Sequence, residues 1–154
     1  MGRVINIPEV MLDENTGTLV VGKGIAFGTH ISFDMAKRWT IGKESPEFVG
    51  TEGAQEQKIT FRNVVVDDDY FILRLRFNND KLLIIEIFIS PVPFEFKENW
   101  ADWSYEEEIK HLEHCKAWLQ KEVGAKRNFD WGSIWCGYDS LGGFSSIKIN
   151  YSRQ

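Results

Sequence analysis

The chain is poor in cysteine: Cys115 and Cys136 are the only two among 154 residues. No disulfide framework can staple it, and so few thiols fit a reducing compartment. Long apolar runs are missing as well. None exceeds four residues, as at Leu82–Ile85, which Glu86 interrupts. A membrane helix needs about 20 apolar residues in succession, so no membrane span and no membrane partner is expected. The first eight residues hold one basic side chain and no apolar core of a signal peptide. No secretory signal is therefore expected, and the expected location is cytoplasmic. Positive charge is in deficit, since 18 Lys and Arg stand against 23 Asp and Glu, for a net charge of −5. That balance argues against nucleic acid or anionic lipid as the main partner. Internal repeats and low-complexity tracts are absent too, which removes solenoid architectures. What is present is 43% hydrophobic and 27% charged residues, the composition of one globular domain over residues 1–154 with enough chain to bury a core.

Alternation at period two is clearest over 70–90. Phe71, Leu73, Leu75 and Phe77 alternate with Tyr70, Ile72, Arg74 and Arg76, and after Asn78-Asn79-Asp80 the residues Leu83, Ile85, Ile87 and Ile89 alternate with Leu82, Ile84, Glu86 and Phe88. This predicts two antiparallel strands. A three-residue loop would set Leu75 opposite Leu83 and Leu73 opposite Ile85, leaving one face wholly apolar. A two-residue loop would set Arg74 against Ile85, so register favours the longer loop. A third strand is expected over Lys58–Val64, turning at Asp67-Asp68-Asp69. Ser104-Tyr105-Glu106-Glu107 is a capping box, and Glu106–Glu108 suit the positive end of a helix dipole. Tyr105, Ile109, Leu112, Leu119 and Val123 follow helical spacing, and Gly124 is the natural stop. A second hairpin is expected from Trp131–Tyr138 and Phe144–Tyr151. Val4–Leu12 with Thr18–Val21 offers a further strand pair, Ser32–Trp39 a short helix, and 40–57 a long surface loop. The fold class is α+β: a mostly antiparallel sheet of several strands, with one long helix on the face carrying Phe71, Leu73, Leu75, Leu83, Ile85 and Ile87.

Few residues offer chemistry. His111, His114 and Cys115 lie within one helical turn and a little more, with Glu107 one turn before His111, a spacing that can gather zinc ligands. A closed tetrahedral site would need Cys136 or His30 from elsewhere, and neither His-Glu-x-x-His nor Cys-x-x-Cys is present. As a nucleophile–base pair, Cys115 and His111 sit mid-helix, away from any helix N-terminus that would lower the thiol pKa. Solvated histidines beside a buried cysteine are the plainer reading. Gly22, Gly24 and Gly28 fail the dinucleotide pattern because Phe27 holds the third position, and turn geometry accounts for them. No catalytic residue, metal or cofactor is therefore assigned. Acidic groups gather at Asp67–Asp69, at Asp102 and Glu106–Glu108, and at Asp130 and Asp139, mostly where turns and the helix start place charge in solvent. Most of the six tryptophans read as core, but Trp100 and Trp103 stand in a polar stretch before the helix. Basic and aromatic residues interleave only at Tyr70, Arg74, Arg76 and Phe88, which is thin beside a net negative chain.

The order of the second half carries a resemblance. An apolar hairpin (Tyr70–Ser90) is followed by a helix with His114-Cys115-Lys116-Ala117-Trp118-Leu119, then Trp131-Gly132-Ser133-Ile134, Tyr138-Asp139 and Ser145-Ser146-Ile147-Lys148-Ile149-Asn150-Tyr151. Over about residues 58–152 this resembles small bacterial immunity proteins of contact-dependent and other polymorphic toxin systems. The resemblance implies a non-enzymatic cytosolic protein that binds and neutralises a cognate toxin domain. A basic toxin would be steered to an acidic surface and locked by aromatic anchors, for which Asp67, Asp68, Asp69, Trp100, Asp102 and Trp103 are the expected contacts. The alternative is a small metal-binding protein or hydrolase using His111, His114 and Cys115.

Overall fold

The computed structural model describes residues 10–21, 25–39, 46–51, 54–66, 68–94, 105–139 and 144–151. Within them the chain runs β1 (Val10–Leu12), β2 (Leu19–Val21), β3 (Ala26–Phe27), α1 (Phe33–Ala36), β4 (Glu47–Val49), β5 (Gln57–Val66), β6 (Asp69–Asn78), β7 (Lys81–Ser90), α2 (Tyr105–Val123), β8 (Asn128–Phe129), β9 (Gly132–Asp139) and β10 (Phe144–Asn150). The first three strands make a small sheet. The other seven form a sheet of order β4-β5-β6-β7-β10-β9-β8. Every strand pairing among the described residues is antiparallel. The architecture is thus mostly antiparallel sheet with a helix packed against it, as the alternation implies. The helix spans the expected residues and ends at Gly124, whose φ of 68° is the left-handed stop. Ser104 of the expected capping box lies outside the described residues.

The β6–β7 hairpin corrects the expected register. Asn78 faces Lys81, so the loop is two residues, Asn79 and Asp80, with φ of 51° and 69°. Two left-handed residues in succession match the twist of the flanking strands. Such a loop alone would mix the two faces, but the register shifts once. Arg76 pairs with Ile84 and Phe77 with Leu82, leaving Leu83 as a bulge. Arg74 then meets Glu86, Leu75 meets Ile85, and Leu73 meets Ile87. The faces separate as the alternation requires, with each pair displaced by two residues from a three-residue loop. The Leu83 carbonyl accepts the Tyr151 N–H at 2.8 Å, so the bulge also joins β7 to the residue after β10.

Part of the segment expected as loop, 40–57, is strand. Apolar residues are sparse there, yet β4 pairs with β5 and Gln57 is buried. The Gln57 side-chain amide donates to the Thr51 carbonyl at 2.7 Å and to Asp80 Oδ1 at 2.8 Å, and its oxygen accepts the Asp80 N–H at 2.8 Å. A buried amide with its groups satisfied orders the chain without apolar area.

Among the described residues, α2, α1 and the small sheet pack on the same face of the large sheet. Leu73, Leu75, Ile85, Ile87, Ile147 and Ile149 form the middle of the core. α2 lies against β7, β9 and β10 through Cys115, Leu119 and Val123, and Trp118 meets Phe71 edge-on at 6.0 Å. The expected helix-on-sheet packing therefore holds over half of the sheet. Over β5 and β6 the cover is different: Phe27 of the small sheet stacks on Phe61, and Phe33 of α1 meets Phe77, both at 5.7 Å. Gly17, at φ 75°, lets the N-terminal hairpin close on Trp131, whose ring would lie 2.5 Å from any Cβ there. The Tyr151 hydroxyl donates to the Gly17 carbonyl. Among the described residues no helix is long and apolar enough to cross a membrane.

Candidate functional site

The helical cluster does not assemble. Cys115 is buried against the sheet, and burial, with the nearby Cys136 thiol adding to it, pushes its thiol up to about 12. A thiol of that acidity is about one part in ten thousand thiolate at pH 8, far from a nucleophile or a ready metal ligand. His111 and His114 instead border a groove of about 480 Å³ whose opposite wall includes Pro91 and Val92. Among the described residues no three His, Cys, Asp or Glu side chains converge in a manner that could hold a metal ion. We expect Cys115 to resist iodoacetamide in the native protein at pH 8 and to react once the chain is unfolded, as read by peptide mass spectrometry. Rapid native labelling of Cys115 would contradict its packing.

Glu108 also departs from expectation. Grouped by sequence with the solvated acids of the first helical turn, it is 4% exposed. Its Oε2 accepts the Ser145 N–H at 2.6 Å, and the Ser145 hydroxyl donates to the Glu108 carbonyl at 3.2 Å. Oε1 lies 3.2 Å from His111 Nδ1. Burial alone would raise the carboxyl pKa, but the hydrogen bonds from His111 and Ser145 outweigh it and hold the group below its ordinary value. The spacing signals this burial. Cys115, Leu119 and Val123 are buried, and one heptad before Cys115 is position 108. Tyr105, expected on the buried stripe, is exposed instead.

Of the expected partner contacts, Asp68 is exposed in the β5–β6 turn and Asp69 is half-buried at the start of β6, opposite Val66. Asp67, Trp100, Asp102 and Trp103 lie outside the described residues. Asn63 is a buried polar residue of β5. It occupies a bulge in β5 at φ 52°, and its side-chain amide brackets Phe94, accepting the Phe94 N–H at 2.8 Å and donating to the Phe94 carbonyl at 3.0 Å.

Among the described residues, the second face of the seven-stranded sheet carries charged and aromatic side chains in register. One cross-strand row reads Glu47, Thr60, Arg74, Glu86, Lys148, Trp135, and the next reads Val49, Lys58, Arg76, Ile84, Asn150, Ser133, Asn128. Arg62, Phe88 and Phe144 share this face by alternation. The Arg74 guanidinium pairs with Glu86 at 3.4 Å and sits 5.5 Å over the Phe88 ring. Phe144 meets Phe88 edge-on at 6.5 Å. Lys148 Nζ lies 5.1 Å over Trp135, and the Trp135 ring lies across Gly137, where a Cβ would come within 2.8 Å of it. Trp135 and Phe144 remain 40% and 47% exposed. The interleaving read from Tyr70, Arg74, Arg76 and Phe88 covers only β6 and β7 of this face, because sequence does not show that β10 and β9 continue the sheet beyond β7.

Comparison with known proteins places neither the fold nor this face: no family model, no curated protein and no solved structure matches the chain.

Proposed function

We propose that the chain is a non-enzymatic binding protein, an immunity protein that neutralises a cognate toxin domain in the cytoplasm of the producing cell. The observation that supports it is the division of the large sheet. One face is covered by α2, α1 and the small sheet, whereas the other presents aromatic and cationic side chains in register, the composition of an interface. The side chains sequence offered for catalysis favour the same reading. Cys115 is packed as a small hydrophobe, and the Glu108 carboxylate with His111 ties the start of α2 to β10.

Co-expression tests this. The proposal expects a toxin domain encoded beside this gene, one that arrests growth alone and spares cells that also express this chain. The two purified proteins should form a complex of defined stoichiometry. Growth arrest unchanged by an abundant, folded chain, with no complex on mixing, would sink the proposal.

A further inference from the structure

We propose that the open face of the seven-stranded sheet, centred on Lys58, Arg76, Lys148 and Trp135, is the docking surface, and that it receives an acidic surface of a protein partner. The inference rests on the binding-protein reading above and adds the face and the charge of what it meets. The argument begins with a folding cost. Lys58 and Arg76 stand directly opposite each other on β5 and β6. Like charges in that position destabilise a sheet, and among the described residues neither joins an ion pair. The remaining cations of the face differ. Arg74 is matched by Glu86 and Arg62 by Glu47, while Lys148 stands opposite Glu86 and over the Trp135 ring. The uncompensated pair is therefore a local concentration of positive charge on a chain whose net charge is −5. A carboxylate from outside, placed between the two cations, would relieve the repulsion and gain two charge-assisted contacts.

Apolar anchors flank that pair. Val49 is exposed beside Lys58 and Ile84 is half-buried beside Arg76, while Trp135 lies on the same face on β9, three strands along from β6. A cationic pair between aliphatic side chains, with an aromatic ring farther along the same face, suits a protein surface. Single-stranded nucleic acid is the weaker fit. It requires a continuous track of cations along the backbone and open ring faces for the bases. Here Arg74 and Arg62 are engaged by carboxylates, and Lys148 and Arg74 already cover the Trp135 and Phe88 rings.

The test uses the full chain, an inactivated form of the toxin domain that the immunity reading expects beside its gene, and a 20-nucleotide oligouridylate. Arg76→Glu and Lys58→Glu should each weaken toxin binding about tenfold or more, mainly by slowing association at low salt. Trp135→Ala should weaken it about tenfold or more by faster dissociation. Asp68→Asn should change it less than about twofold, as for a site outside the interface. Arg76→Glu should at the same time raise the melting temperature, because it converts a like-charge pair into an ion pair; Arg76→Gln gives the same direction without charge reversal. Full affinity and full protection in Arg76→Glu, Lys58→Glu and Trp135→Ala would overturn the inference while leaving the immunity reading standing. Failure of the unmodified chain to bind or protect would remove that reading and this inference with it. Oligouridylate binding lost in Arg76→Glu, with toxin binding retained, would reassign the face to nucleic acid and overturn the protein occupant.

Discussion

Glu108→Ala is expected to lower the unfolding free energy at pH 7 by about 2–3 kcal/mol, the scale of a buried hydrogen bond to a charged group whose partner is left unsatisfied. The carboxylate accepts the Ser145 N–H at 2.6 Å and lies within 3.2 Å of His111 Nδ1. Alanine leaves the Ser145 N–H buried with no acceptor in its place. Glu108→Gln separates charge from shape, since its amide oxygen can still accept from Ser145. The sign of the pH dependence follows from the lowered carboxyl pKa. A carboxyl with a depressed folded value contributes stability that is fully present above its unfolded pKa, near 4.5, and is lost as pH falls through the lower folded value. The gap between the native chain and Glu108→Gln should therefore be constant from pH 8 to 6 and shrink as acid is added below about 4.5. Urea titrations across that range provide the measurement. A gap that does not change with pH would mean that the Glu108 carboxyl has the same pKa in the folded and unfolded chain.

The structure and the sequence agree where local chemistry decides. The helix was legible because its stop at Gly124 and its charge order are written within a few residues. The faces of β6 and β7 were legible because period two does not depend on register. Register itself was not. The bulge at Leu83 compensates a two-residue loop, and its carbonyl meets Tyr151 from a strand more than sixty residues later. Nothing near Leu83 announces that bond. The same limit hid the open face. Lys58 and Arg76 become neighbours through strand pairing, and Trp135 joins the row of Arg74 only because β10 inserts between β7 and β9. Gln57 and Asn63 were invisible for a related reason. Each is polar in a stretch without periodicity, and each is buried because it satisfies backbone groups brought from Asp80, Thr51 or Phe94. Glu108 was misread rather than hidden, since an acid in the first helical turn also suits the dipole, and the tertiary role of its side chain prevailed.

Leu75→Ala should cost about 2–5 kcal/mol, the range for emptying a fully buried aliphatic site. Leu75 is 0% exposed at the centre of the large sheet, flanked by Ile59 and Ile85, which are equally buried. Its neighbours across the strands and the layer above can collapse only partly into the space, so the lost contacts add to the lost transfer energy. In a chain of this length that loss corresponds to a melting point lower by roughly 5–15 °C. The adjacent position supplies the internal comparison. Arg74, one residue earlier and on the opposite face, is part-exposed and paired with Glu86 across solvent, so Arg74→Ala should cost about 1 kcal/mol or less. The contrast depends on the face each side chain takes: a large loss at 73, 75 and 77, a small one at 74, and no loss at 76, where alanine removes the like-charge repulsion with Lys58. Thermal melts of Leu73→Ala, Leu75→Ala, Arg74→Ala and Arg76→Ala measure it directly. Equal losses at odd and even positions would mean that both faces of β6 are buried, and the open docking face would then have no place in the fold.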